Sequence, residues 1–162
     1  MDVKQRPLLY IETSVFGFYF DPEPRNAERR EAVMKMFDQV RLGILDAATS
    51  PLTFTELDRT AEPRRSELIN LLSSVRRVSA DRDEVGRLAT AYLRERVIPE
   101  RFAEDAEHVA YATVCKADVL VSLNLRHLAN EWAERRVCAV NRREGYLQLS
   151  IRTPEEVLDY ED

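Results

Sequence analysis

The chain has 162 residues, 44% apolar and 33% charged, with a net charge of −5. That balance excludes a disordered or lipid-dissolved chain, and the length predicts one domain over 1–162 built on one core. No apolar run reaches the ~20 residues of a bilayer-spanning helix and no leader pattern opens the chain, so a cytoplasmic protein with no membrane partner is expected.

Leu8 to Ile11 is a short apolar run ending at Glu12, and Thr13-Ser14 leaves it. Read as a buried first strand, it delivers Glu12 to its carboxyl edge. After a loop at Asp21-Pro22-Glu23-Pro24, Asn26 is the expected N-cap of a helix with Ala32, Val33, Met36, Phe37 and Val40 on one face, stopped at Gly43. Ile44 to Ala48 reads as a second strand. Ser50-Pro51 then opens a helix with Glu56 in its interior.

Pro63 marks a break, Glu67 to Leu72 reads as a helix and Val75 to Val78 as a strand. Asp81 with Glu84 three residues later is a capping-box pattern for a helix whose Val85, Leu88, Ala89, Tyr92 and Leu93 share a face. Beyond Pro99, the spacing predicts a helix from Ala103 to Lys116 with Asp105, His108, Val109 and Ala112 along one stripe. Val119 to Leu123 is a buried strand ending at Asn124. A helix from about Leu125 to Arg136, strands at Val137 to Val140 and Leu147 to Ile151, and a helix opened by Thr153-Pro154-Glu155-Glu156 complete the reading. Alternation of strand and helix predicts an α/β domain around a mostly parallel sheet.

Cys115 and Cys138 stand alone, without a CxxC or Cys/His cluster, so buried reduced thiols are expected. Of 24 basic residues only Lys4, Lys35 and Lys116 are lysine, leaving 21 arginines, many in pairs such as Arg64-Arg65 and Arg76-Arg77. Such pairs suit phosphate recognition, but coding bias and solvated helix faces are the favoured explanation of any single pair. The chain has four glycines, Gly17, Gly43, Gly86 and Gly145, too dispersed for a GxGxxG turn or a phosphate loop.

Ligands of open parallel sheets sit at the carboxyl ends of the strands, where Glu12 and Asn124 fall. With Glu56 and Asp105 they form a set of hard oxygen donors suited to Mg²⁺ or Mn²⁺, which can polarise a scissile phosphate and activate a water. An acidic site of this kind tolerates a negative net charge, because the cation reverses its sign.

The chain closely resembles the PIN-domain family. The resemblance rests on Tyr10-Ile11-Glu12-Thr13-Ser14, on Thr55-Glu56-Leu57, and on Ile98-Pro99 followed by Asp105-Ala106-Glu107-His108-Val109-Ala110. Val121-Ser122-Leu123-Asn124-Leu125-Arg126-His127-Leu128 continues it, as does Asn141 through Gly145-Tyr146 to Thr153-Pro154-Glu155-Glu156-Val157. It implies a Rossmann-like three-layer α/β/α fold, Mg²⁺- or Mn²⁺-dependent cleavage of RNA and a homodimer. For many members it also implies the role of a VapC-type toxin paired with an antitoxin. Glu12 stands where most members have Asp, and Asn124 where many have a fourth acid, which marks a variant site.

Each candidate has a plainer reading beside the functional one. Asp105, the expected metal ligand and orienter of the attacking water, is also an acid in the first turn of a helix. Glu12 after a buried strand requires a partner, a metal or an Arg, Glu56 can be a solvated helix residue, and Asn124 can be a turn residue. His108 can shuttle a proton, but hydrogen bonding to a carboxylate or packing on the sheet suits it better. Arg126 and His127 are placed to touch substrate phosphate, and Ser14 with Thr13 to bond the cluster or substrate, or to cap a helix. Phe16, Phe18, Tyr19, Phe20 and Trp132 are read as core or dimer packing. The alternative to the nuclease is a PIN-like module that binds RNA or protein without cutting.

Overall fold

The computed structural model of the protein describes residues 6–159. Five strands form one parallel sheet: β1 (Leu8–Ile11), β2 (Asp46–Thr49), β3 (Arg76–Arg77), β4 (Val119–Val121) and β5 (Ser150–Arg152), in the order β3-β2-β1-β4-β5. Each neighbouring pair runs parallel, with Tyr10 opposite both Ala48 and Leu120. Helices cover both faces: α1 (Thr13–Phe18), α2 (Ala27–Arg41), α3 (Pro51–Leu57), α4 (Arg64–Leu72), α5 (Arg82–Arg94), α6 (Ala103–Val114), α7 (Glu131–Arg143) and α8 (Pro154–Asp159). The result is the three-layer α/β/α fold, Rossmann-like in its crossovers.

The layers follow from strand alternation. Leu9, Ile11 and Val121 enter one core with Val33, Met36 and Phe37 of α2 and Leu68, Leu71 and Leu72 of α4. Tyr10, Leu120 and Ile151 enter the other, with Leu88 and Tyr92 of α5, Val109 of α6 and Val137 of α7. A sheet covered on both faces makes its strands apolar throughout, which is why β1 and β4 stand out in the sequence. In the second layer α5 packs along α6, and buried Asn141 of α7 ties both together: its amide donates to Thr113 Oγ1 at 3.1 Å and its oxygen accepts from the Tyr92 hydroxyl.

Helix signals were read with varying success. Asp81 caps α5 by accepting from the backbone of Asp83 and Glu84, but Glu84 accepts from the Tyr146 hydroxyl and so makes only half of a capping box. Thr153 and Glu156 form the full reciprocal box on α8. Asn26 occupies the N-cap position of α2 without capping it, because its amide donates to Asp21.

Other expectations are corrected. The second strand starts at Asp46, not Ile44, because Gly43 at φ +74° exits α2 and the amides of Ile44 and Leu45 close back on Gln39 O. The third strand shortens to Arg76–Arg77, the fourth ends at Val121 and the fifth begins at Ser150. The expected strand Val137 to Val140 is helical: Ala133, Val137, Val140 and Asn141 are buried at helix spacing, and Asn130 caps the helix. Residues 125–130 are turns, since Asn124 O holds the amides of Leu128 and Ala129.

Trp132 is 71% exposed on α7 and is no core residue, whereas Phe16 is buried and Phe18, Tyr19 and Phe20 pack against the first core. Both cysteines are free and only partly buried. The arginine pairs largely form exposed ion pairs, among them Arg64 with Glu67, Arg65 with Asp58 and Arg76 with Asp46. No helix among the described residues is long and apolar enough to cross a membrane.

Leu120 is fully buried at the centre of the sheet. Leu120→Ala is expected to cost roughly 2–5 kcal/mol in urea unfolding, while Trp132→Ala stays within about 0.5 kcal/mol of the parent.

Candidate active site at the strand switch point

After β1 the chain moves to β2 and β3 on one side, and it returns to place β4 on the other side of β1. The loops leaving β1 and β4 therefore diverge, and a crevice opens at their carboxyl ends. Glu12 follows β1 directly, its amide donating to Val121 O at 3.1 Å, and Ser122 to Asn124 follow β4.

Glu12 is 4% exposed and well satisfied. Its Oε1 accepts from Ser122 Oγ at 3.0 Å and from the Ser14 hydroxyl, and its Oε2 accepts from the Ser14 amide at 3.1 Å. The carboxylate thus caps α1 and bridges the two strand ends. Ser14 Oγ also accepts from the Leu123 amide at 3.2 Å, and Ser122 Oγ from the Asn124 amide at 3.0 Å. Ser14 is accordingly committed to the cluster.

α6 begins beside this crevice and presents Asp105 and His108, three residues apart, to it. Asp105 Oδ2 accepts from Asn124 Nδ2 at 3.0 Å, and Asn124 Oδ1 accepts from the His127 amide at 3.2 Å. Asn124 is both a turn residue and a partner of Asp105. Its nitrogen thus serves as a donor to the acid, while its oxygen accepts the His127 amide with one of two lone pairs.

α3 supplies Glu56. His108 Nε2 lies 2.5 Å from Glu56 Oε1, and because a carboxylate only accepts, Nε2 carries the proton. Thr13 Oγ1 is 3.1 Å from the same nitrogen, while Nδ1 lies 2.8 Å from the Tyr10 hydroxyl, itself 2.6 Å from Ser50 Oγ. His108 therefore bonds a carboxylate and packs on the sheet, the plainer of the two roles foreseen for it.

The charges feel one another. Burial, followed by the negative charges of Glu12 and Glu56, pushes the Asp105 carboxyl up to about 6 against the opposing pull of His108 and Asn124. Burial works to keep His108 neutral, but the bond to Glu56 and the charges of Glu12 and Asp105 outweigh it, so its pKa is raised. Tyr10, wholly buried, keeps its proton throughout the ordinary pH range. His127 is held below its usual value by burial and by Arg126 and Arg101.

Glu12, Glu56 and Asp105 thus come together from three separate segments, with Asn124 and Ser14 among them. Arg126 is exposed and His127 half-buried on the turn beyond Asn124. Sequence reasoning missed Ser122, whose signal was being the one polar residue of a buried strand. It also missed Tyr10 and Ser50, which hold the far side of His108, and Phe102, which stacks on His127 with ring centroids 4.1 Å apart.

Among the described residues no three His, Cys, Asp or Glu side chains are arranged as a ligand group, each carboxylate being turned to a polar neighbour. The donors are nonetheless hard oxygens. Burial and the charges of Glu12 and Glu56 both disfavour the ionised form of Asp105, and a divalent cation would offset both. The residues fit Mg²⁺ or Mn²⁺ in their chemistry. No protein-family model and no curated protein matches the chain.

A carboxyl whose folded pKa is raised holds its proton more tightly in the native than in the unfolded state. Stability from Asp105 therefore falls as pH rises from about 4 to about 6 and stays reduced above that. In chelator, Asp105→Asn should unfold later than the parent at pH 7.5, by on the order of 1–2 kcal/mol for a partly screened carboxylate. The gain should shrink toward zero near pH 4; thermal scans across that range check both parts.

Proposed function

We propose that the chain is a Mg²⁺- or Mn²⁺-dependent endoribonuclease of the PIN type. The observation that carries this reading is the meeting of Glu12, Glu56 and Asp105 at the switch point, close enough for the first two to raise the pKa of the third. The resemblance described above supports it, as does the hard-oxygen character of the donors.

In this reading Glu12, Glu56 and Asp105 hold the ion. Bound there, a divalent cation supplies positive charge at the phosphoryl oxygens and favours ionisation of a water. The chain's residues do the rest. Ser122 and Ser14 hold the Glu12 carboxylate, and His108 aims Glu56 through a charge-assisted bond. Asp105 has Oδ2 engaged by Asn124, leaving Oδ1 to orient the attacking water and take its proton. A new P–O bond forms from that water as the ester P–O bond breaks, and the leaving oxygen takes a proton from solvent.

The reading brings two protein partners with it, a second copy of the chain and, in the role of a toxin, an inhibitory antitoxin. A second function, a PIN-like module that binds RNA or protein without cutting, is favoured by one observation: each of the three carboxylates already has a hydrogen-bond partner among its neighbours. Binding that is indifferent to chelator, with no cleavage, would support it.

Purified protein is expected to cut RNAs drawn from a structured and unstructured panel in Mg²⁺ or Mn²⁺ and to stop in chelator. Asp105→Asn should lower the rate by at least about 100-fold, and Glu12→Gln similarly. Cleavage that persists in either variant would remove that residue from the machinery, and persistence in chelator would overturn the metal mechanism.

A further inference from the structure

We propose that the Phe102 and His127 rings form a stacking subsite for one unpaired nucleobase of the RNA, at the mouth of the acidic cluster. The proposal deepens the nuclease reading and rests on it for the identity of the ligand. Phe102 ends the 3₁₀ turn Glu100–Phe102, three residues before Asp105; His127 lies three residues after Asn124. Two segments far apart in sequence thus each place a flat ring within one turn of a site residue. The rings face each other with centroids 4.1 Å apart and planes inclined by 33°.

The pair is also tied to the chemistry. Asn124 accepts from the His127 backbone amide with its oxygen and donates to Asp105 with its nitrogen, so a single side chain ties the turn that carries the ring to the acid. A base held on the stack would therefore set which phosphate reaches Asp105.

Two cations frame the rings. Arg101 lies with its guanidinium carbon 5.0 Å from the Phe102 centroid, and Arg126 precedes His127; both are exposed. Arg64, Arg65, Arg135, Arg143 and Arg152 are spent in ion pairs, whereas Arg101 and Arg126 belong to the arginines that have no carboxylate partner among the described residues. Half-exposed rings beside guanidinium groups supply what a single-stranded nucleic acid requires: aromatic surface for the base and positive charge for the flanking phosphates. A core pair would be fully buried and would have no need of them. Duplex RNA offers no free base face and would not use the subsite.

The test is binding of a labelled RNA of alternating A and C, about ten nucleotides long and unable to pair with itself, measured by anisotropy in chelator at low salt. A matched series lacks one base at a time but keeps the backbone. The parent protein should lose about 5- to 100-fold in affinity when the base at one particular position is missing. His127→Gln should bind the intact RNA more weakly by a similar factor and respond equally to every abasic position. His127→Tyr, which restores a flat ring, should recover the positional response.

Phe102→Leu, which keeps the packing against the core, should behave as His127→Gln does. Folded variants that bind like the parent, a parent that shows no positional response, or no binding of the intact RNA would each overturn the subsite. Cleavage in Mg²⁺ with a flat abasic series would sink the subsite and leave the nuclease standing. A clear positional response without cleavage in Mg²⁺ or Mn²⁺ would do the reverse.

Discussion

Three carboxylates drawn to one sheet edge repel one another, and everything else at that edge answers this repulsion. None is neutralised by a Lys or Arg. Glu12 is held by two serines, Asp105 by an asparagine amide and Glu56 by a histidine. The serine and asparagine donors satisfy the oxygens without cancelling their charge, while His108 opposes it. Burial first, then the charges of Glu12 and Glu56, leave the Asp105 carboxyl with a raised pKa.

That arrangement depends on the sheet beneath it. Parallel strands buried on both faces leave no room for charge along their length, so polar groups collect where the strands end. Placing β4 beside β1, away from β2, puts two such ends together while their loops part. The hydroxyl of Tyr10, inside β1, then reaches Nδ1 of His108 on α6, so the register of the first strand helps to orient a ring that holds Glu56 on α3. Strand, helix and carboxylate are linked through one buried imidazole.

Parts of this were legible in the sequence and parts were not, for definable reasons. Short apolar runs ending in a polar residue marked β1 and β4, and local capping chemistry marked α5 and α8, because these signals lie within a few neighbouring residues. Val137 to Val140 misled because a β-branched pair three apart suits a strand by composition and a helix by spacing, and the deciding contact, Asn141 with Tyr92 and Thr113, lies far away in sequence. Glu12, Glu56 and Asp105 were visible as acids at strand ends or helix faces. That His108 would claim Glu56, and that Phe102 would lie on His127, are long-range facts with no local trace.

Asn124 shows most clearly what an amide gains and loses at this position. A carboxylate there could still accept the His127 amide, but it could not donate to Asp105, and its charge would add to those of Glu12 and Glu56. Asp105 would then hold its proton to still higher pH and be less often ionised near neutrality. The amide avoids both effects: it lowers the Asp105 pKa by hydrogen bonding and contributes no charge. In the proposed nuclease the cost would be one fewer anionic oxygen for a cation, placing more of the binding on Glu12, Glu56 and Asp105. Three acids and an amide would then exchange some affinity for the ion against an acid that is ready to act, and the same amide carries the turn on which His127 sits.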